Sequence, residues 1–424
     1  MSVPPPYPLI EGFWIRNYKS LKQVAVGSSF QQSVMMDLES DIVPYELTPL
    51  TVFVGESGVG KSTVLDAFSF IADCLELGLD EAVQHRGGYD AIYTRGGQGP
   101  ITFGVVFRYC LDPSPLTYVL NIDRLPNTNK AYVETEAILY REAEGGQHKP
   151  VLFFQNGEKS ARHIRTWHNA SGAAINQLKN TNQKTLALGL LAKYEDIPDI
   201  PQFKQYLSQY FVANFSTGNA AGLSPSQFKF AQAENLATDL KRVKEKHPTE
   251  FTGILDVIAK RIPGVERLEY KVLESGRAVL SVYHKGESTP IYPFQMSEGD
   301  LRLLSHLTLL EDPIPARLVG IEEPAAYIGR KHIMSFIEGL QHYIRELGGT
   351  QFFITTHSNT FIDQMDPTEV WLFCKDKNGN IQASRCLDEL QFQGVDLNSI
   401  GPFWWTDYIY RNNTFGSKVL LYKN

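Results

Sequence analysis

Between Gly55 and Ser62 the chain reads Gly-Glu-Ser-Gly-Val-Gly-Lys-Ser, a run that fits GxxxxGK[ST], and few short patterns restrict a fold as tightly. Its glycines allow a loop that wraps closely enough to aim backbone N–H groups inward at an anion. Such a loop needs a strand before it and a helix after it, whose positive N-terminal end points at the same anion. Both neighbours are present. Leu50 to Val54 is a continuous apolar run, as in a strand buried on both faces. From Lys61 to about Leu77, residues Val64, Leu65, Phe68, Ile71, Ala72 and Leu75 recur at helical spacing. The pattern predicts a cradle for ATP and Mg²⁺. Gly55, Glu56, Ser57, Gly58, Val59, Gly60 and Thr63 would line the phosphates, Lys61 would meet the β- and γ-phosphates, and Ser62 would ligate the metal.

Three further features carry chemistry that a phosphate cradle can use. Ala316 to Ile321 reads as another buried strand and ends in Glu322-Glu323-Pro324. Two carboxylates delivered beside the cradle suit nucleotide hydrolysis: Glu322 to hold Mg²⁺, and Glu323 to polarise the attacking water. Gln351 to Thr355 is a third strand pattern and leads into Thr356-His357-Ser358. His357 therefore falls at the carboxyl rim of the sheet, where open α/β folds bind ligands. Finally, Met296-Ser297-Glu298-Gly299-Asp300 precedes an apolar helix. Ser297 can cap that helix, and Ser297 with Gly299 would make an anion site able to meet a γ-phosphate from another subunit.

Around these motifs the chain changes period twice. Strand patterns at 13–16, 24–26, 101–109, 116–123, 131–140 and 151–154 give way to amphipathic stretches at 184–194, 201–213, 234–246 and 250–262. After strands near 267–273 and 277–284 there is alternation: helix 298–311, strand 316–321, helix 330–347, strand 351–355, helix 358–364 and strand 369–373. That order predicts an α/β fold with a parallel sheet. A net charge of −7 disfavours a globally basic nucleic-acid binder and leaves room only for a local basic groove. Four scattered cysteines, no apolar run of roughly 20 residues and no signal-peptide pattern at the first residues lead to the expectation of a reduced, cytoplasmic protein without a membrane span.

In this order the motifs resemble the ABC-type ATPases of the RecF/SMC-like branch, a group that includes stand-alone AAA-family ATPases of bacterial antiphage systems. Ile15-Arg16-Asn17-Tyr18-Lys19-Ser20-Leu21 looks like its opening strand and turn, and Ser297-Glu298-Gly299 like its signature. Glu322-Glu323-Pro324 looks like its Walker B and Thr355-Thr356-His357-Ser358 like its switch-histidine loop. The resemblance implies an ABC-type nucleotide-binding domain, a mixed sheet plus an antiparallel β subdomain, with a helical insertion. It implies lobes at 1–155 and 266–390, a mainly helical insertion at 156–265 and a tail at 391–424. Glu323 would be the catalytic base, with His357 and Lys61 beside it, and Ser297 and Gly299 would act on the nucleotide of a second copy. Two departures stand out. Glu322 replaces the more usual Asp, and Ala325 to Arg330 lacks the branch's acidic residue and His-Pro.

The glutamine that such proteins place near the γ-phosphate has three candidates, Gln98, Gln155 and Gln183. The stretch after His357 has no DxD cluster for a metal-dependent nuclease domain, and no long heptad run is present. The resulting expectation is an ATPase, as a homodimer or higher homo-oligomer, that acts as sensor or scaffold for a separate effector, a nuclease, in antiphage defence. A RecF-like repair ATPase that itself binds DNA is the competing reading. The aromatic tail, Phe403, Trp404, Trp405, Tyr408 and Tyr410, reads first as packing against its own domain.

Overall fold

The computed structural model describes residues 9–27, 47–108, 115–141, 148–155, 185–191, 199–214, 233–272, 278–313, 316–388 and 405. The chain opens with β1 (Leu9–Tyr18), β2 (Leu21–Gly27), β3 (Leu50–Val54), α1 (Lys61–Glu76), α2 (Leu79–Gln84) and α3 (Tyr89–Ile92). It continues through β4 (Ile101–Arg108), β5 (Leu116–Arg124), β6 (Ala131–Arg141), β7 (His148–Gln155), α4 (Ala187–Leu191), α5 (Asp199–Ser208) and β8 (Phe211–Asn214). Then come α6 (Ala233–Lys246), α7 (Phe251–Arg261), β9 (Val265–Val272), β10 (Ala278–His284), α8 (Glu298–Leu310), β11 (Leu318–Glu322) and α9 (Arg330–His342). The last elements are β12 (Gln351–Thr356), α10 (Asn359–Ile362), β13 (Val370–Lys375) and β14 (Ile381–Arg385).

Two six-stranded sheets organise these elements. One is antiparallel, in the order β2-β1-β4-β5-β6-β7. The other is the central sheet, β14-β13-β3-β12-β11-β8, parallel except for β14. β9 and β10 pair as a separate two-stranded sheet that packs on α6 and α7. The mixed central sheet and the antiparallel sheet have the architecture that the sequence led one to expect.

Period-2 alternation sorts the central strands onto two cores. Phe53, Leu318, Phe353, Trp371 and Phe373 face α1, α5 and the antiparallel sheet. Leu50, Val52, Val54, Val319, Ile321, Phe352 and Ile354 face α6, α7, α8 and α9. Helix α1 is clamped between the sheets: the Phe68 ring lies 5.2 Å from Phe13 of β1 and 5.2 Å from Phe353 of β12. Close packing requires Gly320 on β11, since a methyl there would collide with the Tyr210 hydroxyl and press on Leu65. Buried Gln351 joins the sheets by using its whole amide. Its Nε2 donates to the Ile10 and Thr48 carbonyls at 2.9 and 3.1 Å, and its Oε1 accepts from Ile10 N and the Tyr206 hydroxyl at 3.0 and 2.8 Å.

Within the described residues the strand and helix expectations hold in their essentials, with informative exceptions. Of the helix expected over 184–194 only Ala187–Leu191 is helical, and 184 and 192–194 lie outside the described residues. The helix expected over 201–213 ends at Ser208, and Phe211–Asn214 is a strand that pairs in parallel with β11. The stretch read as a mainly helical insertion thus supplies an edge strand of the core. The helix expected to reach 347 ends at His342 and passes into a π-helical turn, Tyr343–Leu347. Strand β14 carries only one fully buried side chain, Ile381, so it showed no clear apolar alternation. In the tail only Trp405 is described; it is buried in the second core, and its backbone N–H donates to Asp363 Oδ1 at 3.0 Å. Phe403, Trp404, Tyr408 and Tyr410 lie outside the described residues.

Candidate functional site

The cradle follows β3 and opens α1. Gly60 holds φ +85°, and a side chain there would meet Leu21 Cδ2 and Ile381 Cδ1 at 2.7 and 2.8 Å, so only glycine suits the turn. Glu56, Ser57 and Gly58 form an exposed lip, whereas Val59 is anchored in the first core. Lys61 is only 6% exposed. Its ammonium folds back over the loop and donates to the Gly55 and Glu56 carbonyls at 2.7 and 2.9 Å. Burial pushes its pKa below the usual lysine value, while the charges of Glu323 and then Glu322 pull it the other way. Ser62 is exposed on the first helical turn, and Thr63 Oγ1 lies 3.0 Å from Ser20 Oγ in the β1–β2 turn.

The acidic pair reaches this loop because β11 sits two strands from β3, across β12. In register, Asn214 of β8 faces Glu322, Glu322 faces Thr355, and Thr356 faces Val54 just before the cradle. All these carboxyl ends therefore share one rim. Glu323 leaves the strand at φ +47°, an uncommon conformation for a non-glycine residue. Its N–H donates to the Thr355 carbonyl at 3.0 Å and lies 3.3 Å from Thr355 Oγ1. Its Oε2 accepts from His357 N at 3.3 Å and lies 2.9 Å from His357 Nδ1. Lys61, Glu322, Glu323 and His357 thus form one polar cluster. The two oxygen donors expected for a metal, the Ser62 hydroxyl on the first turn of α1 and the Glu322 carboxylate of this cluster, are of the kind that suit a hard cation such as Mg²⁺.

Ser297 and Gly299 stand elsewhere. Helix α8 packs on α6, α7 and α9 in the second core, across the central sheet from α1. Ser297 caps it: its Oγ accepts from Asp300 N at 3.1 Å and donates to Asp300 Oδ2 at 2.6 Å. Gly299 lies against the loop after β11, near Tyr327 and Ile328. Beside this helix start are the two most exposed large aromatics among the described residues, Phe294 at 79% and Tyr327 at 81%. Phe294 stacks on Tyr292, and the Arg302 guanidinium lies 5.1 Å from the Tyr327 ring centre.

Two features escaped the reading of the sequence. Of the glutamine candidates, Gln98 lies in the turn before β4 and Gln155 ends β7, both in the antiparallel lobe, and Gln183 lies outside the described residues. The residue that the register places beside Glu322 is instead Asn214, at the end of β8. The apolar run Tyr210 to Ala213 was the available signal, hidden by the amphipathic stretch that leads into it. The second is the loop from Glu323 to Gly329, which packs on the start of α8 although its sequence departs from the expected pattern.

Residues 155–363 match the family described as "AAA domain, putative AbiEii toxin, Type IV TA system". The match takes in Ser297, Gly299, Glu322, Glu323 and His357, while the glycine-rich loop precedes it. No curated protein matches the chain. Among solved structures, the chain is similar to the SMC head domain from Thermotoga maritima, at 14% identity and TM-score 0.44, over 89% of this chain and 98% of that one. An SMC head bound to the C-terminal winged-helix domain of ScpA gives 13% identity and TM-score 0.44, over 89% and 97%. No helix among the described residues is long and apolar enough to cross a membrane. The order of its strands and the position of its glycine-rich loop are those of an α/β P-loop fold, and the family match spans just under half of the chain.

Proposed function

We propose that the protein hydrolyses ATP at sites completed by two copies of the chain. One observation carries this reading. The cradle, the acidic pair and His357 converge at one rim, whereas Ser297 and Gly299 open outward from the other core, flanked by exposed Phe294 and Tyr327. A polar helix start ringed by exposed aromatics fits an interface that buries them.

In this reading the backbone of Gly55 to Thr63 grips the phosphates, and Lys61 exchanges its two loop carbonyls for β- and γ-phosphate oxygens. Bound Mg²⁺, held by Ser62 and Glu322, would neutralise phosphate charge. Glu323 accepts the proton of the attacking water, and His357, now 2.9 Å from its carboxylate, orients it and senses the γ-phosphate. Ser297 and Gly299 of the second copy meet the same phosphate through a hydroxyl and the positive end of α8. We further propose that the helical lobe at about 184–265 and the aromatic tail at 403–410 link this cycle to a separate effector, a nuclease in antiphage defence, with 1–155 and 266–390 as the two ATPase lobes. A Glu323→Gln bait, which should hold the ATP-bound state, tests that link by affinity capture from the native host. Recovery of homo-oligomers or DNA alone would contradict it.

The composite site is tested by mixing Ser297→Arg with Lys61→Ala chains, each inactive alone. One site of the heterodimer then carries both lesions and the other carries neither, so partial phosphate release should return. Demonstrated heterodimers that stay silent would overturn the proposal.

A further inference from the structure

We infer that His332 positions the signature serine, and so serves the nucleotide held by a partner copy and not the one held by its own chain. The inference rests on the composite-site reading above. Ser297 Oγ carries a single proton, and in this structure that proton goes to Asp300 Oδ2 at 2.6 Å. The other carboxylate oxygen, Asp300 Oδ1, lies 2.7 Å from His332 Nε2. A carboxylate only accepts, so the imidazole carries its proton on Nε2 and donates. The side chains of Asp300 and His332 are 26% and 23% exposed, so solvent competes only in part for this bond.

The position of His332 in the chain gives the contact its meaning. His332 lies in the first turn of α9, where its N–H donates to the Gly329 carbonyl at 2.9 Å. That turn is entered directly from Glu323 through the loop that packs on Gly299. A relay Ser297–Asp300–His332 thus ties the helix start that would face a partner's nucleotide to the segment leaving the acidic pair.

To donate to a γ-phosphate oxygen, Ser297 must release Asp300, which leaves a carboxylate beside an incoming anion. Like charges at such range repel. The bond from His332 draws electron density from Asp300, weakens its hold on the serine proton and keeps the carboxylate turned toward α9. Without His332 the hydroxyl stays bound to Asp300, and the bare charge opposes the phosphate.

His332→Ala should therefore lower turnover by about ten- to a hundred-fold, the range expected for losing a hydrogen bond to a charged group. Its own cradle should keep its affinity for a fluorescent ATP analogue. His332→Gln, whose amide Nε2 can take the place of the imidazole donor, should restore most of the rate. The deciding experiment mixes His332→Ala with Lys61→Ala chains, beside the Ser297→Arg and Lys61→Ala mixture as reference. Action through Ser297 leaves one intact composite site, so both mixtures regain phosphate release. Recovery in the reference alone would show that His332 serves its own cradle and would overturn the inference while sparing the composite site. Silence in both would overturn the composite site and this role with it. Should His332→Ala not fold, His332→Asn, whose shorter amide stops short of Asp300, serves in the same mixture.

Discussion

The cradle and the signature helix start are built from similar parts, a glycine-containing turn at a helix N-terminus, yet they are finished differently. At the cradle the charged groups are answered within the chain, Lys61 by two loop carbonyls and Glu323 by His357 and Thr355, and Val59 is anchored in the first core, while Ser62 is exposed. At the signature the backbone is capped by Ser297, but the surroundings are open, with Phe294 and Tyr327 about four-fifths exposed. Contacts within the chain hold Lys61 and Glu323 of the first region in place. The second is ordered, and its two aromatics lie open.

The largest expected effects lie in the cradle. Lys61→Ala removes the buried cation and should lower phosphate release by on the order of 100- to 1,000-fold, with weaker binding of a fluorescent ATP analogue. Wild-type turnover in this variant would remove the contrast altogether. Glu323→Gln keeps the shape of the side chain but accepts a proton poorly, so turnover should fall by about 100- to 10,000-fold while nucleotide binding persists. Glu322→Gln should instead lose the Mg²⁺-dependent part of binding. Equal, mild losses in both would mean that the two carboxylates do not divide the work as their positions suggest.

A smaller effect sharpens the comparison from the packing side. Gly320→Ala would push a methyl into Tyr210 and Leu65, beneath the helix that opens the cradle. Overpacking of this kind costs roughly 1–3 kcal/mol, readable as a lower midpoint in urea. An unchanged midpoint would show that α1 and β11 have room to separate. The smallest effects belong to the outward face. Tyr327→Ser and Phe294→Ser should leave the stability of the single chain within about 0.5 kcal/mol and weaken self-association by roughly 1–2 kcal/mol each. Analytical ultracentrifugation with ATP would show this, and a loss of stability without any change in association would make the two aromatics part of the fold.

The cradle was legible because its chemistry is local: one strand, one loop and one helix, adjacent in sequence, each with its own pattern. The acidic pair and His357 were legible because buried parallel strands read as short apolar runs that deliver their next residues to one rim. Asn214 was not, because β8 has four residues and its strand character comes from pairing with β11, more than a hundred positions away. The bond between His332 and Asp300 was hidden for the same reason: it joins two helices across the second core, and neither residue stands out in its own segment.

The central claim is that the outward helix start works on the nucleotide of another copy, and the mass of Glu323→Gln in solution tests it most directly. Light scattering with and without ATP and Mg²⁺ reads the association state while hydrolysis is suppressed. The account predicts the 47.7 kDa chain without nucleotide, a doubled mass with it, and no doubling when Ser297→Arg is added. Bound ATP with the mass unchanged at micromolar protein, while the wild-type chain hydrolyses ATP under the same conditions, would contradict it.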